Sequence, residues 1–565
     1  MPWENQEDDS LAGEREDSNN STLENPPKSS LLKYHIATEA TPLLPTENGT
    51  IEDIQSTHLP RKWQTLTYLL MLVIFLAGAA DSIVESPTTR IFESVICYRY
   101  FEAEDPSKIQ VGRAAVGPGA IGGVEERYCK ADSVQQQLAS LAGYQTLFEG
   151  FPSLLLALPF GWLADKYGRK PVIMLGLFSF LLKLLWVQMI TWFWQAFDVR
   201  MTWLSALHAL LGGGSPVISS LFFVVLSDIV PQDHRASTFL QVGASELAAK
   251  MVIPPISASL MAINPWIPSL IGTGLLLICF LTYGIVPETL NYYQPAERPS
   301  TSHPKPSSTE TAQQSKPPSS GTQPTHHSAR PTPTKRLLHP LHTATAFLTH
   351  DYRIPLLILP FIGHSLIAQT SQLLLQYTSK RYHLTFSQAT LLTTILNAVK
   401  VLLLFALLPY ASTLALRHFR LSAQRKDLYL ARASQGFVLV GWTLVGLSPN
   451  LVCVVVSLVV AALGQSTYLL IRSFLTSLVP ADQIARVYSI VSLVDTVGAM
   501  LGSPLLAGLF GRGLASGGGW VGLPFYFLGV ISAGFAVLLF VVGLRKGEES
   551  DGDRENDDGE REDSE

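Results

Sequence analysis

Ionisable side chains stand inside long apolar stretches of this sequence: Asp81, Glu85, Glu149, Lys183, Glu246, Lys250, His364, Lys400 and Asp495. A charge at membrane depth is costly and persists only beside a partner or a water-filled cavity. A carboxyl group withdrawn from water can exchange a proton near neutral pH. Glu149, near the middle of its apolar stretch, therefore reads as a proton carrier. Glu246 and Lys250 are four apart, so they share one helix face and can form an ion pair. Asp495 has no Lys at the neighbouring turn and joins Glu149 as a coupling residue. His364 can titrate in the same range or simply donate a hydrogen bond.

Neutral polar groups add a second kind of chemistry. Gln369, Gln372 and Gln376 recur at three- and four-residue spacing along one helix face, and Asn397, Gln465, Ser466 and Tyr468 follow. Such amides suit a polar or amphipathic organic solute, or hydrogen bonds between helices. No ATP-binding loop, nucleophile elbow or metal cluster is legible. We expect no enzyme activity, no cofactor, no metal and no nucleic-acid partner.

The elements that must position these residues are membrane spans. The chain has 565 residues, 47% hydrophobic and 15% charged, whereas a soluble protein carries about a quarter charged residues. A bilayer core about 30 Å thick needs about 20 apolar residues in a helix. Twelve segments qualify: 64–85, 138–161, 171–194, 202–227, 237–262, 267–287, 354–377, 387–411, 429–447, 451–475, 485–509 and 521–544. The ninth is weakest, diluted by Arg432, Ser434 and Gln435. The fold expected is an all-α polytopic membrane protein, two pseudo-symmetric halves of six helices each.

Charge sets the topology. Of 45 acids and 40 bases, residues 1–60 hold 12 and 3 and residues 547–565 hold 11 and 2, leaving 22 acids and 35 bases between. The acidity belongs to the tails, which cannot bury enough apolar surface to fold. Lys166, Arg169 and Lys170 follow the second span, and Arg417, Arg420, Arg425 and Lys426 follow the eighth. Such an excess marks the cytoplasmic side, which places both termini there; Lys380 and Arg381 run against the rule. A Pro/Ser/Thr-rich stretch without hydrophobic period separates the spans six and six. The expected organisation is a disordered acidic tail (1–60), a first half (61–290), a disordered linker (291–350), a second half (351–545) and a disordered acidic tail (546–565).

An internal repeat supports this split. Ile229-Val230-Pro231-Gln232-Asp233 aligns with Leu478-Val479-Pro480-Ala481-Asp482 at an offset of 249, where Glu246 also meets Asp495 and Pro255 meets Pro504. Paired six-span halves around a central site are a transporter architecture. Gly212-Gly213-Gly214-Ser215-Pro216 in the fourth span reads as a surface for close packing, with bending the other option.

The run Gly161-Trp162-Leu163-Ala164-Asp165-Lys166-Tyr167-Gly168-Arg169-Lys170, between the second and third spans, resembles the signature loop of the major facilitator superfamily. With the twelve spans and central linker, the resemblance covers about residues 60–545. The chain resembles uncharacterised fungal members and, more distantly, is similar to the proton-coupled folate transporter group. The resemblance implies that Asp165 and Arg169 belong to a gating charge network, with Asp228 and Arg235 as partners. It also implies that Gly161 and Gly168 permit a close turn. In that family spans one, four, seven and ten line the cavity, which implies substrate contacts from Gln369, Gln372, Gln465 and Tyr468, with Asn397 beside them. Val252-Ile253-Pro254-Pro255-Ile256-Ser257 keeps the prolines of the antiporter motif without its glycines, so the direction of transport stays open.

Cys97 and Cys129 flank a loop on the non-cytoplasmic side, where a disulfide is chemically permitted. Glu39-Ala40-Thr41-Pro42-Leu43-Leu44 resembles an acidic dileucine signal read by sorting adaptors. The function expected is secondary active transport of a small organic solute by alternating access, coupled to protons. The membrane is the plasma membrane or a vacuolar or endosomal one. The alternative is a membrane sensor that binds a solute without moving it.

Overall fold

The computed structural model describes residues 62–231, 234–289, 352–419, 421–479 and 484–543. The acidic tails, the central linker and the dileucine-like Glu39, Leu43 and Leu44 lie outside the described residues. Those that are described form helices and short connections, with no strand among them.

Twelve spans follow in chain order. In the first half they are α1 (Lys62–Glu104), α2 (Asp132–Tyr167), α3 (Arg169–Trp192), α4 (Val199–Ile229), α5 (Arg235–Ile263) and α6 (Trp266–Ile285). The second half comprises α7 (Arg353–Ala368 followed by Thr370–Tyr382), α8 (Phe386–Arg417), α9 (Ala423–Leu447), α10 (Leu451–Ser477), α11 (Ile484–Ser516) and α12 (Leu523–Val541). Ten are long and apolar enough to cross a membrane as they stand, and α2 and α7 complete the twelve as bent pairs. α2 bends by 49° between Ala157 and Pro159, where proline removes a helical N–H and crowds the preceding turn. α7 bends by 43° at Gln369.

Helices are the natural solution because lipid cannot satisfy backbone N–H and C=O groups. Side chains finish the ends. Thr385 accepts from the Gln388 N–H and the Gln388 side chain accepts from the Thr385 N–H at the start of α8. Ser422 caps α9 and Asn450 caps α10. The polar residues that dilute the ninth span are used within the half. Arg432 donates to the carbonyls of Leu539 and Val542 at 3.1 and 2.9 Å, and the Gln435 amide donates to Ser532 at 3.0 Å.

The repeat extends to the backbone. α4 breaks at Gly213 and Gly214, whose φ values of 74° and 79° favour glycine. α10 breaks at Gly464–Ser466, the corresponding level at the repeat offset. Bending therefore governs Gly213 and Gly214. Packing governs Gly212, where an added Cβ would sit 2.3 Å from the Ser179 hydroxyl.

Apolar packing follows the halves. One core gathers α1–α6 residues such as Leu70, Ile173, Val225 and Tyr283, and another gathers α7–α12 residues such as Phe361, Trp442, Phe474 and Phe525. A third joins the far end of α1 and its following loop to Leu375, Phe386 and Ala389 of the second half. α2 packs along α11, and α5 along α8.

Candidate functional site: a charged cavity and the two ends that flank it

Two adjoining chambers, of about 500 and 570 Å³, share walls at Glu149, Phe180, Ser215 and Ser219. Asp81, Glu85, Glu246, Lys250 and Gln372 face the first. His364, Gln369 and Asp495 face the second.

Three of these carboxylates are held by cations. Lys183 of α3 donates to Glu149 of α2 at 2.7 Å, and Gln145 donates to the other Glu149 oxygen at 2.5 Å. Lys250 pairs with Glu246 at 2.6 Å, the expected one-turn pair. Asp495 of α11 accepts from Ser365 at 3.0 Å and lies 3.4 Å from both His364 Nδ1 and the Arg472 guanidinium. Arg472, which reaches Asp495 from α10, carries no signal in the sequence, and Lys183 stands out there without its partner.

The amide face divides. Gln372 reaches across to Thr89 of α1 at 3.1 Å, while Gln376 is buried at 1% exposure. Three expected cavity residues are placed elsewhere. Asn397 spends its amide on the Lys250 carbonyl at 2.8 Å. Tyr468 is buried in the second-half core, its ring 4.5 Å from that of His364. Gln465 occupies the tight turn Gly464–Ser466 and contributes to neither chamber.

At one end of the helices, the signature run is more helical than its sequence suggests. α2 continues through Tyr167 and α3 starts at Arg169, so Gly168 alone makes the turn, with φ 108°. Gly161 lies inside α2 with open space where a Cβ would stand, so no close turn requires it. Arg169 pairs with Asp165 and lies 3.6 Å from Asp228. The Arg235 side chain lies outside the described residues. Glu288, which the sequence reading did not single out, accepts from the Arg169 and Lys170 N–H groups at 2.8 and 3.0 Å. It thereby places an anion at the start of α3, where the helix dipole favours one.

The opposite end carries the loop 105–131, tied to α1 by a disulfide between Cys97 and Cys129. Glu93, fully buried, accepts from Lys130 at 2.8 Å and Gln135 at 2.6 Å, and lies 3.2 Å from Arg90. Glu126 reaches the second half, accepting from the Phe386 N–H at 2.8 Å. Lys380 pairs with Asp132 at 2.8 Å and donates to the Lys130 carbonyl at 2.5 Å. Burial alone would raise the Glu126 carboxyl, but Arg90, Lys130 and the Phe386 N–H outweigh it and hold it below the ordinary carboxylate range. The sequence offered Cys97 and Cys129 as a permitted disulfide and Lys380 as an exception to the charge rule, but not Glu93, Glu126, Lys130 or Asp132, whose partners are far apart in the chain.

Twelve helices in two halves around a charged cavity are matched by a family profile. The description "Major Facilitator Superfamily" fits residues 133–503. The chain belongs to that superfamily. Relatives of this major facilitator include the MFS efflux pump atnC of Emericella nidulans, 28% identical over 92% of this chain and 97% of the relative. The efflux pump ustT of Aspergillus flavus is 29% identical over 79% of this chain and 82% of its own. Among solved structures, a D-xylose–proton symporter superposes with a TM-score of 0.55 at 9% identity, covering 84% of this chain and 97% of that one. At that identity the likeness speaks for the fold alone. This protein is a multi-pass membrane transporter acting on small molecules. Its relatives are transporters, not enzymes, and nothing among them favours the sensor alternative.

Proposed function

We propose that this transporter exports a small amphipathic organic solute from the cytoplasm, by alternating access coupled to proton entry. The supporting observation is a single cavity system walled by carboxylates from both halves, each set against a cation: Glu149 with Lys183, and Asp495 with Arg472. A carboxylate poised between a cation and a proton can change partner as the cavity changes access. Glu246 and His364 complete the coupling set, and Gln369 and Gln372 present amides to the solute. The efflux pumps among the relatives support the outward direction.

In this reading residues 61–290 and 351–545 are the two moving halves, joined by the linker 291–350. The basic residues after α2 and α8 set the termini, the linker and the Asp165–Arg169 gate on the cytoplasmic side. The disulfide-tied loop then faces away from the cytoplasm. The membrane is the plasma membrane or a vacuolar or endosomal one, with Glu39, Leu43 and Leu44 read by sorting adaptors.

The test is metabolite profiling of cytosol, vacuole and medium in cells lacking the protein. Export predicts a compound that rises in the cytosol and falls in medium or vacuole, and an uncoupler reproduces that pattern in the parent cells. A compound left in the medium would reverse the direction. Unchanged flux in both Glu149→Gln and Asp495→Asn would overturn their coupling role.

A further inference from the structure

The corner of the cavity beside Glu149 contains a group that the coupling set above leaves out. His208, in α4, is 6% exposed, yet its ring lies on the wall of the second chamber. Its Nδ1 is 2.8 Å from the carbonyl oxygen of Ser205. A carbonyl only accepts, so Nδ1 carries the hydrogen, and in the neutral ring Nε2 is left as a lone pair. That Nε2 is buried and has no hydrogen-bond partner.

Charges of both signs act on the ring from the helices packed against this turn: Glu149 on α2 favours a proton there, and Lys183 on α3, like burial itself, opposes it. Phe180 covers it at 5.2 Å, and His364 and Asp495, the latter paired with Arg472, lie on the wall of the same chamber. Gln145 is bonded to Glu149 and to the Ser205 hydroxyl through its amide nitrogen, and its carbonyl oxygen is a second buried acceptor without a donor. Glu149 itself is already committed to Lys183 at 2.7 Å. The Nε2 lone pair of His208, by contrast, is free to take a proton.

We infer that His208 Nε2 is the proton acceptor of the first half, with Glu149 as the anion that stabilises the resulting imidazolium. The proton comes from cavity water, adds to the Nε2 lone pair and returns to water when access changes. Nδ1–H keeps its bond to Ser205 throughout. This inference rests on the proton-coupled reading but can fail independently of it.

The experiment is an NMR titration of the full-length chain in lipid nanodiscs, with ring-labelled histidine, from pH 8.5 to 5. The chain has 13 histidines, so the signal is assigned by its loss in His208→Gln, and again in His208→Asn should the first variant misfold. We expect the Nδ1–H tautomer at high pH and conversion to imidazolium within the range. Glu149→Gln should displace that conversion toward acid. A ring that stays neutral to pH 5, or one that titrates without regard to Glu149→Gln, overturns the assignment. Failure of the proton-coupled reading shows itself elsewhere, as export from intact cells that persists under an uncoupler.

Discussion

At the scale of single residues, Glu149, Glu246 and Asp495 each stand against a cation. Glu246 and Lys250 were legible because four residues make one helical turn. Glu149 and Lys183 were not, because 34 residues and a change of helix separate them. Asp495 and Arg472 likewise meet only when α10 and α11 pack. Removing one partner of a fully buried pair costs about 3–5 kcal/mol, because the survivor is left uncompensated. With 29% of Lys183 and 22% of Glu149 open to the cavity, solvent screening reduces this to about 2 kcal/mol. Lys183→Met should therefore lower the thermal unfolding midpoint in detergent. The double variant Lys183→Met/Glu149→Gln should recover most of the loss while transport stays impaired. A double variant no more stable than the single one would show that the pair is not the stabilising unit. Gly168 makes the opposite case: the resemblance implied a close turn at Gly161 and Gly168, and the backbone takes it at Gly168 alone. Its φ of 108° disfavours any side chain, and the Glu288 carboxylate stands where a Cβ would be. Gly168→Ala should cost about 1–2 kcal/mol from backbone strain alone, and Glu288→Ala should add little to it because the alanine has already displaced that carboxylate. Urea unfolding of the two single variants and their combination measures this directly.

At the scale of elements, hydrophobicity located the spans but not where the helices stop. The first span was read as ending near Glu85, where apolar residues give way. The helix instead runs to Glu104, 43 residues in all, because Glu93, Lys130 and Gln135 satisfy one another at its extension. Sequence hydropathy cannot see a polar helix face whose partners come from a later loop. The Cys97–Cys129 link closes a separation of 32 residues, for which loop entropy predicts about 3–4 kcal/mol. Cys97→Ser/Cys129→Ser should lower the unfolding midpoint and speed hydrogen exchange in residues 105–131 more than in α9–α12. Acid acts on the same clamp. The Glu126 carboxyl is held below its ordinary range, so its stabilisation is complete above the unfolded carboxylate value. It is lost as pH falls through the depressed folded one. Protection of loop 105–131, taken against the intrinsic exchange rate at each pH, should therefore fall as pH drops below about 4, and Glu126→Gln should remove this contribution to the acid dependence while weakening the clamp at neutral pH. An acid response identical in the variant would assign the effect to another group.

At the scale of the whole molecule, the twelve spans and the signature run were enough to read the architecture, and the repeat at an offset of 249 is matched by helix breaks in α4 and α10. What the sequence did not contain was the relation between the halves, since that depends on side chains hundreds of residues apart. Glu126 on Phe386, Asp132 and Lys130 on Lys380, and Glu85 on Ser371 all join first half to second, with the first three at the loop end. If the cavity is served by alternating access, this end must open in every cycle, and the contacts there must break and reform. A covalent tie across it should then stop the cycle without disturbing either half. Asp132 and Lys380 are the place for it, since their side chains meet at 2.8 Å and stand apart from the paired residues of the cavity. In Asp132→Cys/Lys380→Cys, a thiol crosslinker of short reach should reduce flux of the exported compound at least tenfold, and a reducible linker should restore it on cleavage. Each single cysteine variant, treated alike, should keep most of its flux and controls for loss of the ion pair itself. Flux that survives a completed crosslink would mean that the solute passes without separation of this end, and rocking halves would have to be abandoned as the mechanism.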